Sequence, residues 1–290
     1  MNLDEIICVV PARRDRLDIA LAVHGISRRG AKRLLDSRRV LVNGRPVAVA
    51  SRTVGPDDIV LVVPFEIELP ILQLTADCIA IDKPSGLPTQ PARDRTRISL
   101  LDLVFLFLAQ KEKTAEVYPI HRLDTGTSGV VIFGRTKAFT TALSRALSHG
   151  SVEKRYVAVV QGRIEAPLTI DEPIARESGS RFQTSETGRS ARSEIRPLAV
   201  SSTHSLVEAV ILSGRTHQIR VHMAGTGHPV EGDRKYGLRS SLASRPMLHA
   251  SLFSHPLTGA VRAALPEDFL RAARSAGLDA HESLLGSTGP

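Results

Sequence analysis

The sequence has no tryptophan, three tyrosines and two cysteines. Cys8 and Cys78 lie far apart, so neither a disulfide framework nor a zinc knuckle is suggested. The most apolar stretch, residues 100–109, is about half the ~20 residues that a membrane span requires. The chain starts with Asp4 and Glu5 close to the N-terminus, and has none of the basic-then-apolar layout of a secretory signal. There is no GxGxxG fingerprint, no Walker loop, no GxSxG elbow and no HExxH pair. No repeat period is visible. These absences point away from dinucleotide binding, P-loop chemistry, serine hydrolysis and thermolysin-like zinc chemistry. They leave a cytoplasmic, soluble protein without a membrane partner as the expectation.

What is present is positive charge, unevenly placed. The net charge is +8 and the hydrophobic fraction is 42%, the latter ordinary for a globular chain. Residues 11–46 hold ten Arg/Lys (Arg13, Arg14, Arg16, Arg28, Arg29, Lys32, Arg33, Arg38, Arg39 and Arg45) against Asp15, Asp18 and Asp36. Almost all of the net charge therefore sits in one short segment, the footprint of a polyanion partner rather than of an evenly solvated surface.

Read in order, Ile6 to Val10 is a short strand closed by Pro11. A helix opens at Arg16, with Leu17, Ala20 and Leu21 on its apolar side, and stops near Gly25. Ser27 is a good N-cap for a second helix over 28–38, with Ala31, Leu34 and Leu35 apolar and Arg28, Arg29, Lys32 and Arg33 crowded on the other side. Asn43-Gly44 between 40–42 and 47–49 is a hairpin signal, and Asp57-Asp58 is a turn before a closing strand at 59–63. The pieces RLDIAL, SRRGAKRLL, VLVNGRPV and DDIVLV resemble the alpha-L RNA-binding motif over about residues 14–63. That resemblance implies a small domain, residues 1–66, whose Arg16, Arg28, Arg29, Lys32 and Arg33 hold RNA backbone. Clustered cations of this kind neutralise phosphates and carry little sequence information.

Residues 64–70 read as a linker, and a second domain runs over 67–290. In it a buried strand is expected at 78–81, an exposed basic loop at 91–97, and a buried helix from the Ser99 cap to Lys111. An amphipathic helix is expected over 137–149, and a strand over 153–161 with Tyr156, Ala158 and Val160 on one face. β-Hairpins with basic loops are expected over 167–205, a core strand over 206–212, a last helix ending near Gly277, and a frayed tail at 279–290.

The segment HRLDTGTSGVVIFG, residues 121–134, places one carboxylate, Asp124, between a basic pair and a glycine-bounded turn that feeds a short apolar strand. By itself this is more often an Asp–Arg pair in a turn than a catalytic site. GRTHQIRVH, from Gly214 to His222, fits a strand or a helix. Its His217 and His222, with His228, could hold a metal, or its Arg215, His217 and Arg220 could handle anions. The lack of a cysteine or carboxylate partner in 214–230 favours anions. Tyr156, next to Lys154 and Arg155, is either core or a stacking surface for a base.

Taken together, KPSGL, HRLDTGTSG, KRYVAVV, GRTHQIRVHMAGTGHPVEGDRKYG, LHASLFSHP and LPEDF resemble, in order, the motifs of RluA-like RNA pseudouridine synthases. The loop LPTQPARD departs from the usual form, which bears on substrate contacts there. The resemblance implies an α+β fold: a catalytic domain with a mixed, mainly antiparallel sheet and flanking helices, behind the small alpha-L domain. It implies isomerisation of uridine in RNA by base flipping, with no cofactor and no metal. Asp124 matches the catalytic aspartate, as nucleophile or as base. Arg220 matches its arginine partner, Tyr156 the tyrosine that packs on the flipped base, and Arg122 the arginine that enters the stack. Leu123 and Ile219 would wall the pocket, and Arg215 or His217 would stand near phosphate. The expected RNA is large-subunit ribosomal RNA ahead of transfer RNA, and the expected state is a monomer. A non-catalytic RNA-binding factor and a metal-dependent hydrolase are the competing readings.

Overall fold

The computed structural model describes residues 5–91, 96–112, 114–238, 240 and 242–279. Most of the loop expected at 91–97, and nearly all of the tail expected at 279–290, fall outside the described residues.

The front module comprises β1 (Ile7–Val9), β2 (Asp15–Arg16), α1 (Leu17–Val23), α2 (Arg28–Asp36), β3 (Val40–Val42), β4 (Arg45–Pro46), β5 (Thr53–Val54) and β6 (Val60–Val62). Its sheet has the order β1-β6-β3-β4, and β2 pairs with β5. Leu17, Ala20, Leu21, Ala31 and Leu35 of the two helices are buried against Val40, Val42, Val60 and Val62. Ser27 caps α2 by accepting a hydrogen bond from the Gly30 amide at 3.1 Å. Asn43 and Gly44 both adopt left-handed angles, φ 53° and 76°, as a two-residue hairpin turn requires.

The strand expected at 47–49 is absent, and β4 ends at Pro46. The Val47 amide still donates to the Val40 carbonyl, at 2.9 Å. Beyond it the chain leaves the sheet to serve α1, whose N-cap, Arg16, offers no side-chain acceptor. The Leu17 and Asp18 amides donate instead to the Arg52 and Ala50 carbonyls, at 2.8 and 3.2 Å. The segment 64–70 is not a free spacer either. Ile67 is buried in the main core, and Phe65 and Leu69 pack against it.

The larger body comprises β7 (Ile71–Leu74), β8 (Cys78–Lys83), α3 (Leu100–Lys111), β9 (Tyr118–Pro119), β10 (Ser128–Gly134), α4 (Lys137–Ser148), β11 (Glu153–Gln161), β12 (Leu168–Asp171), β13 (Ile174–Ser178), β14 (Arg181–Thr184), β15 (Arg192–Val200), β16 (His204–Ile211), α5 (Gln218–Gly225), β17 (Leu248–His255), β18 (Gly259–Arg262) and α6 (Glu267–Ser275). Its sheet runs β12-β15-β16-β11-β17-β10-β8-β7, with β9 and β18 at the side and β13–β14 as a separate hairpin. Pairing is antiparallel except between β10 and β17, which run parallel. The architecture is thus an α+β fold with a mixed, mainly antiparallel sheet and flanking helices.

Alternation along the strands sorts the helices. Ile79, Ile81, Val131, Phe133, Tyr156, Ala158 and Val160 point to the face covered by α3 and α5. Ala80, Val130 and Ile132 point the other way, onto Phe139 and Leu143 of α4. Val157 and Val159 meet Phe269, Ala272 and Ala273 of α6. Ser99 and Asp102 form a reciprocal capping box that starts α3 (Ser99 amide to Asp102 Oδ2, 2.9 Å). Gly214–His222 resolves into two parts. Gln218 onward is helix, while Arg215 and His217 lie in the loop before it, so the broad basic helix face does not form.

Candidate active site

Asp124 stands on the turn that enters β10. The turn is held from behind by the segment 83–89. The Leu123 amide donates to Thr89 Oγ at 3.1 Å, and that hydroxyl donates back to the Leu123 carbonyl at 2.8 Å. The Thr125 carbonyl accepts from the Gly86 amide (2.8 Å) and from Lys83 Nζ (3.3 Å). Lys83 is fully buried and also donates to the Pro84 and Leu87 carbonyls, at 2.9 and 2.8 Å. Burial pulls its pKa down to about 7, against the opposing pull of the Asp124 charge. Gly129 has φ 111°, and a Cβ there would collide with the Ala250 backbone of β17. That glycine allows the close parallel contact of two strands, so the room it leaves is filled by the protein itself.

Arg220, in the first turn of α5, is 8% exposed and lies between two carboxylates. Its Nε and Nη2 donate to Asp233 Oδ2 and Oδ1, at 2.6 and 2.8 Å, in a fork. Its Nη1 donates to Asp124 Oδ2 at 2.9 Å. Burial works against the Arg220 charge, but Asp233 and Asp124 outweigh it and the pKa is raised. Burial likewise works to raise the Asp233 pKa, and Arg220 overturns it, leaving it lowered. The guanidinium is therefore fixed by Asp233 and presents one remaining N–H pair to Asp124.

Tyr156, on β11, is buried beside this pair, and its hydroxyl pKa is raised first by burial and then by the Asp124 charge. His217 precedes α5 in a left-handed conformation (φ 57°), with Nε2 3.7 Å from Asp124 Oδ2 and Nδ1 2.7 Å from Tyr236 Oη. Gln218 is buried and braces the loop, accepting from the Arg215 amide at 3.1 Å and donating to the Arg192 carbonyl at 2.9 Å.

Arg122, Leu123, Asp124, Tyr156, Arg215, His217, Ile219 and Arg220 all line one cleft. Arg122 is exposed, while Leu123 and Ile219 are buried walls. Arg215 donates its Nε to the Ser190 carbonyl at 2.9 Å. Arg16, Arg28, Arg29, Lys32 and Arg33 are exposed on the front module and do not line the cleft. Arg16 is engaged in a fork with Asp18, both contacts at 3.0 Å.

His217, His222 and His228 do not converge. His222 bonds Ser193 Oγ and the Glu172 carbonyl, and His228 bonds the Gln161 carbonyl. Among the described residues, no group of three or more His, Cys, Asp or Glu is placed to hold a metal ion. Residue-type reasoning missed Lys83, Asp233 and Tyr236. All three lie in motifs noted above, KPSGL's Lys and the GDRKYG run, but Lys83 and Tyr236 act through contacts 42 and 54 residues away in sequence, and Asp233 through its burial and its fork with Arg220.

Two family models match the chain: that of RNA pseudouridylate synthases over residues 77–225 and that of S4 domains over residues 15–60. A ribosomal large subunit pseudouridine synthase D of Yersinia pestis is 30% identical over 92% of this chain and 92% of its own length. The protein of the same name from Pseudomonas aeruginosa is 34% identical over 71% of each chain. Among solved structures, human RNA pseudouridylate synthase domain containing 1 is similar with a TM-score of 0.61 and 25% identity, over 77% of this chain and 97% of that one.

Proposed function

Because the chain belongs to the RNA pseudouridylate synthase family, we propose that it converts particular uridines of large-subunit ribosomal RNA to pseudouridine, with Asp124 as the catalytic carboxylate and no cofactor. The observation that carries this is the Asp124–Arg220 pair in the cleft, at 2.9 Å, with Tyr156 in the wall.

The reaction breaks the bond between uracil N1 and the ribose anomeric carbon, turns the base, and rejoins it through carbon 5, whose hydrogen leaves as a proton while N1 takes one up. Arg220 occupies Asp124 Oδ2, and no described residue bonds Oδ1. An electron pair on Oδ1 is therefore available to attack the anomeric carbon or to take a ribose proton. Tyr156 stacks on the turning base. Its raised pKa keeps the phenol protonated at neutral pH, so it takes the carbon 5 proton only while passing its own hydroxyl proton to another acceptor. Leu123 and Ile219 keep water from the intermediate.

Such chemistry requires the nucleotide outside its stack, which costs a few kcal/mol, least in loops. Arg122, exposed at the cleft, would fill the gap the base leaves, a reading its position on the rim supports. Residues 1–66 would hold RNA backbone and residues 67–290 carry the reaction; a separate apolar cluster inside the front module supports this division, while Leu41, Leu61 and Val63 join it to the main core. Ribosomal RNA is preferred over transfer RNA because a relative matched over 92% of its own length is named a ribosomal large subunit pseudouridine synthase. A cytoplasmic monomer is part of the same reading, and no described helix is long and apolar enough to cross a membrane.

The test is Asp124→Asn, assayed for pseudouridine in ribosomal RNA from a strain lacking the gene. We expect complete loss of product with RNA affinity retained. Product at the wild-type rate would remove Asp124 from the mechanism.

A further inference from the structure

The nearest histidine to Asp124 is held in an unusual way. His217 is a non-glycine residue at φ 57°, a conformation that persists in proteins where surrounding contacts enforce it and that gathers at functional sites. Phe182 and Tyr236 pack edge-on to its ring, with centroids 5.6 and 5.5 Å away. The chain of hydrogen bonds through it has a direction. The Phe182 amide, on β14, can only donate, and it donates to Tyr236 Oη at 3.0 Å. The other described partner of that oxygen is His217 Nδ1, at 2.7 Å. The tyrosine proton is therefore best used on Nδ1, which must then be the unprotonated nitrogen. Neutral His217 carries its proton on Nε2, which faces Asp124 Oδ2 at 3.7 Å. Burial holds the His217 pKa down against the pull of Asp124, which keeps the ring in this neutral form. The 3.7 Å spacing is longer than a hydrogen bond, but contacts of this kind commonly tighten when substrate closes the site.

We propose that His217 is a positioning residue that donates from Nε2 to Asp124 Oδ2, with Tyr236 selecting the tautomer that makes this possible. Arg220 and His217 then hold the same oxygen from two sides and fix the direction in which Oδ1 points. The inference rests on the reading of Asp124 as the catalytic carboxylate. It assigns to His217 a contact with the protein's own aspartate rather than with phosphate, and it gives the β13–β14 hairpin a part in the site, since Phe182 begins the relay.

The experiment uses the full chain and an RNA on which the wild type releases tritium from carbon 5 of uridine. Single-turnover rates and RNA dissociation constants are measured separately. We expect His217→Ala to slow turnover about 10- to 100-fold, the range for a slightly misdirected catalytic group, with RNA affinity unchanged. His217→Gln restores a donor near the Nε2 position and should recover most of the rate. Tyr236→Phe should slow the wild type by less than His217→Ala, and should add nothing in the His217→Gln background, because an amide has no tautomer to select. An active Asp124→Asn would remove the underlying reading. An inactive Asp124→Asn beside His217→Ala at the wild-type rate would overturn the proposal alone. So would His217→Gln no faster than His217→Ala, or Tyr236→Phe costing the same in both backgrounds, since simple ring packing predicts those results.

Discussion

The front module and the cleft are built from the same residue types and use them in opposite ways. Arg28, Arg29, Lys32 and Arg33 are exposed on one short helix, and α2 has no acidic residue in its first turn. Arg28 and Arg29 stand at the helix N-terminus, where the helix dipole favours negative charge, so this helix carries cations where its own stability would have carboxylates. Arg220 is buried, forked onto one carboxylate and aimed at another. On the helix, what matters is how many charges there are and that water reaches them. In the cleft, what matters is direction. Arginines of the first kind attract a polyanion, whereas an arginine of the second kind orders a reaction centre.

The largest expected break in that contrast is Arg220→Met. It leaves Asp233, which is fully buried, as an uncompensated charge. Removing one partner of a buried pair costs about 3–5 kcal/mol. Urea unfolding should show that loss together with the loss of activity. A change under about 1 kcal/mol, within the range of an exposed pair, would mean that the fork does not hold the site.

A middle-sized effect concerns two histidines around the same strands, the half-buried His121 and the fully buried His249. His121 accepts a hydrogen bond from the Ile132 amide at 3.0 Å, and burial, with Lys154 second, lowers its pKa to about 3. His249 bonds Ser128 Oγ at 3.0 Å, and burial lowers its pKa to about 4. Both are neutral when folded, whereas an unfolded histidine titrates near ~6.5. Below that pH the unfolded chain binds protons that the folded chain refuses. Their contribution is fully present above pH ~6.5 and is lost as pH falls towards 4 and then 3, at up to ~1.4 kcal/mol per pH unit for each histidine. Unfolding free energy measured from pH 7 to 4 should fall accordingly, and His121→Gln should flatten the slope by up to one proton. An unchanged slope in that variant would place the His121 titration elsewhere.

The contrast also explains what could be read from residues alone. The front module was legible because its signals are local: the Ser27 cap, the Asn43-Gly44 turn and cations at helical spacing lie within a few residues of their effects. Strand β11 was legible through alternation, with Tyr156, Ala158 and Val160 on one face. The end of the β3–β4 hairpin was not, since residues 47–49 leave the sheet to satisfy α1, a demand invisible in their own pattern. Nor could spacing choose between strand and helix for Gly214–His222, where the left-handed His217 breaks the run. The Asp124–Arg220 pair spans 96 residues, and only the family resemblance pointed to it. Asp233, its anchor, lay unremarked inside a recognised motif, because a carboxylate's burial and fork geometry are properties of the fold.

The smallest expected effect on stability belongs to the front helix, and it sharpens the comparison most. Replacing Arg28, Arg29, Lys32 and Arg33 together by Gln removes four exposed charges and no described hydrogen bond of the core. Exposed substitutions of this kind each change stability by about 0.5 kcal/mol or less, and relief at the N-terminus of α2 offsets part of that. RNA binding should respond differently. If all four cations sit on phosphates, the slope of log K against log salt should become shallower by about 3, from ~0.7–0.9 per contact. Binding titrations over a range of potassium chloride concentrations, run beside thermal unfolding of the same variant, separate the two quantities. A lower melting temperature with an unchanged salt slope would make these residues structural and move the RNA contact to another face. An unchanged melting temperature with a flattened slope would leave the helix as a surface kept for its partner, at the expense of its own dipole.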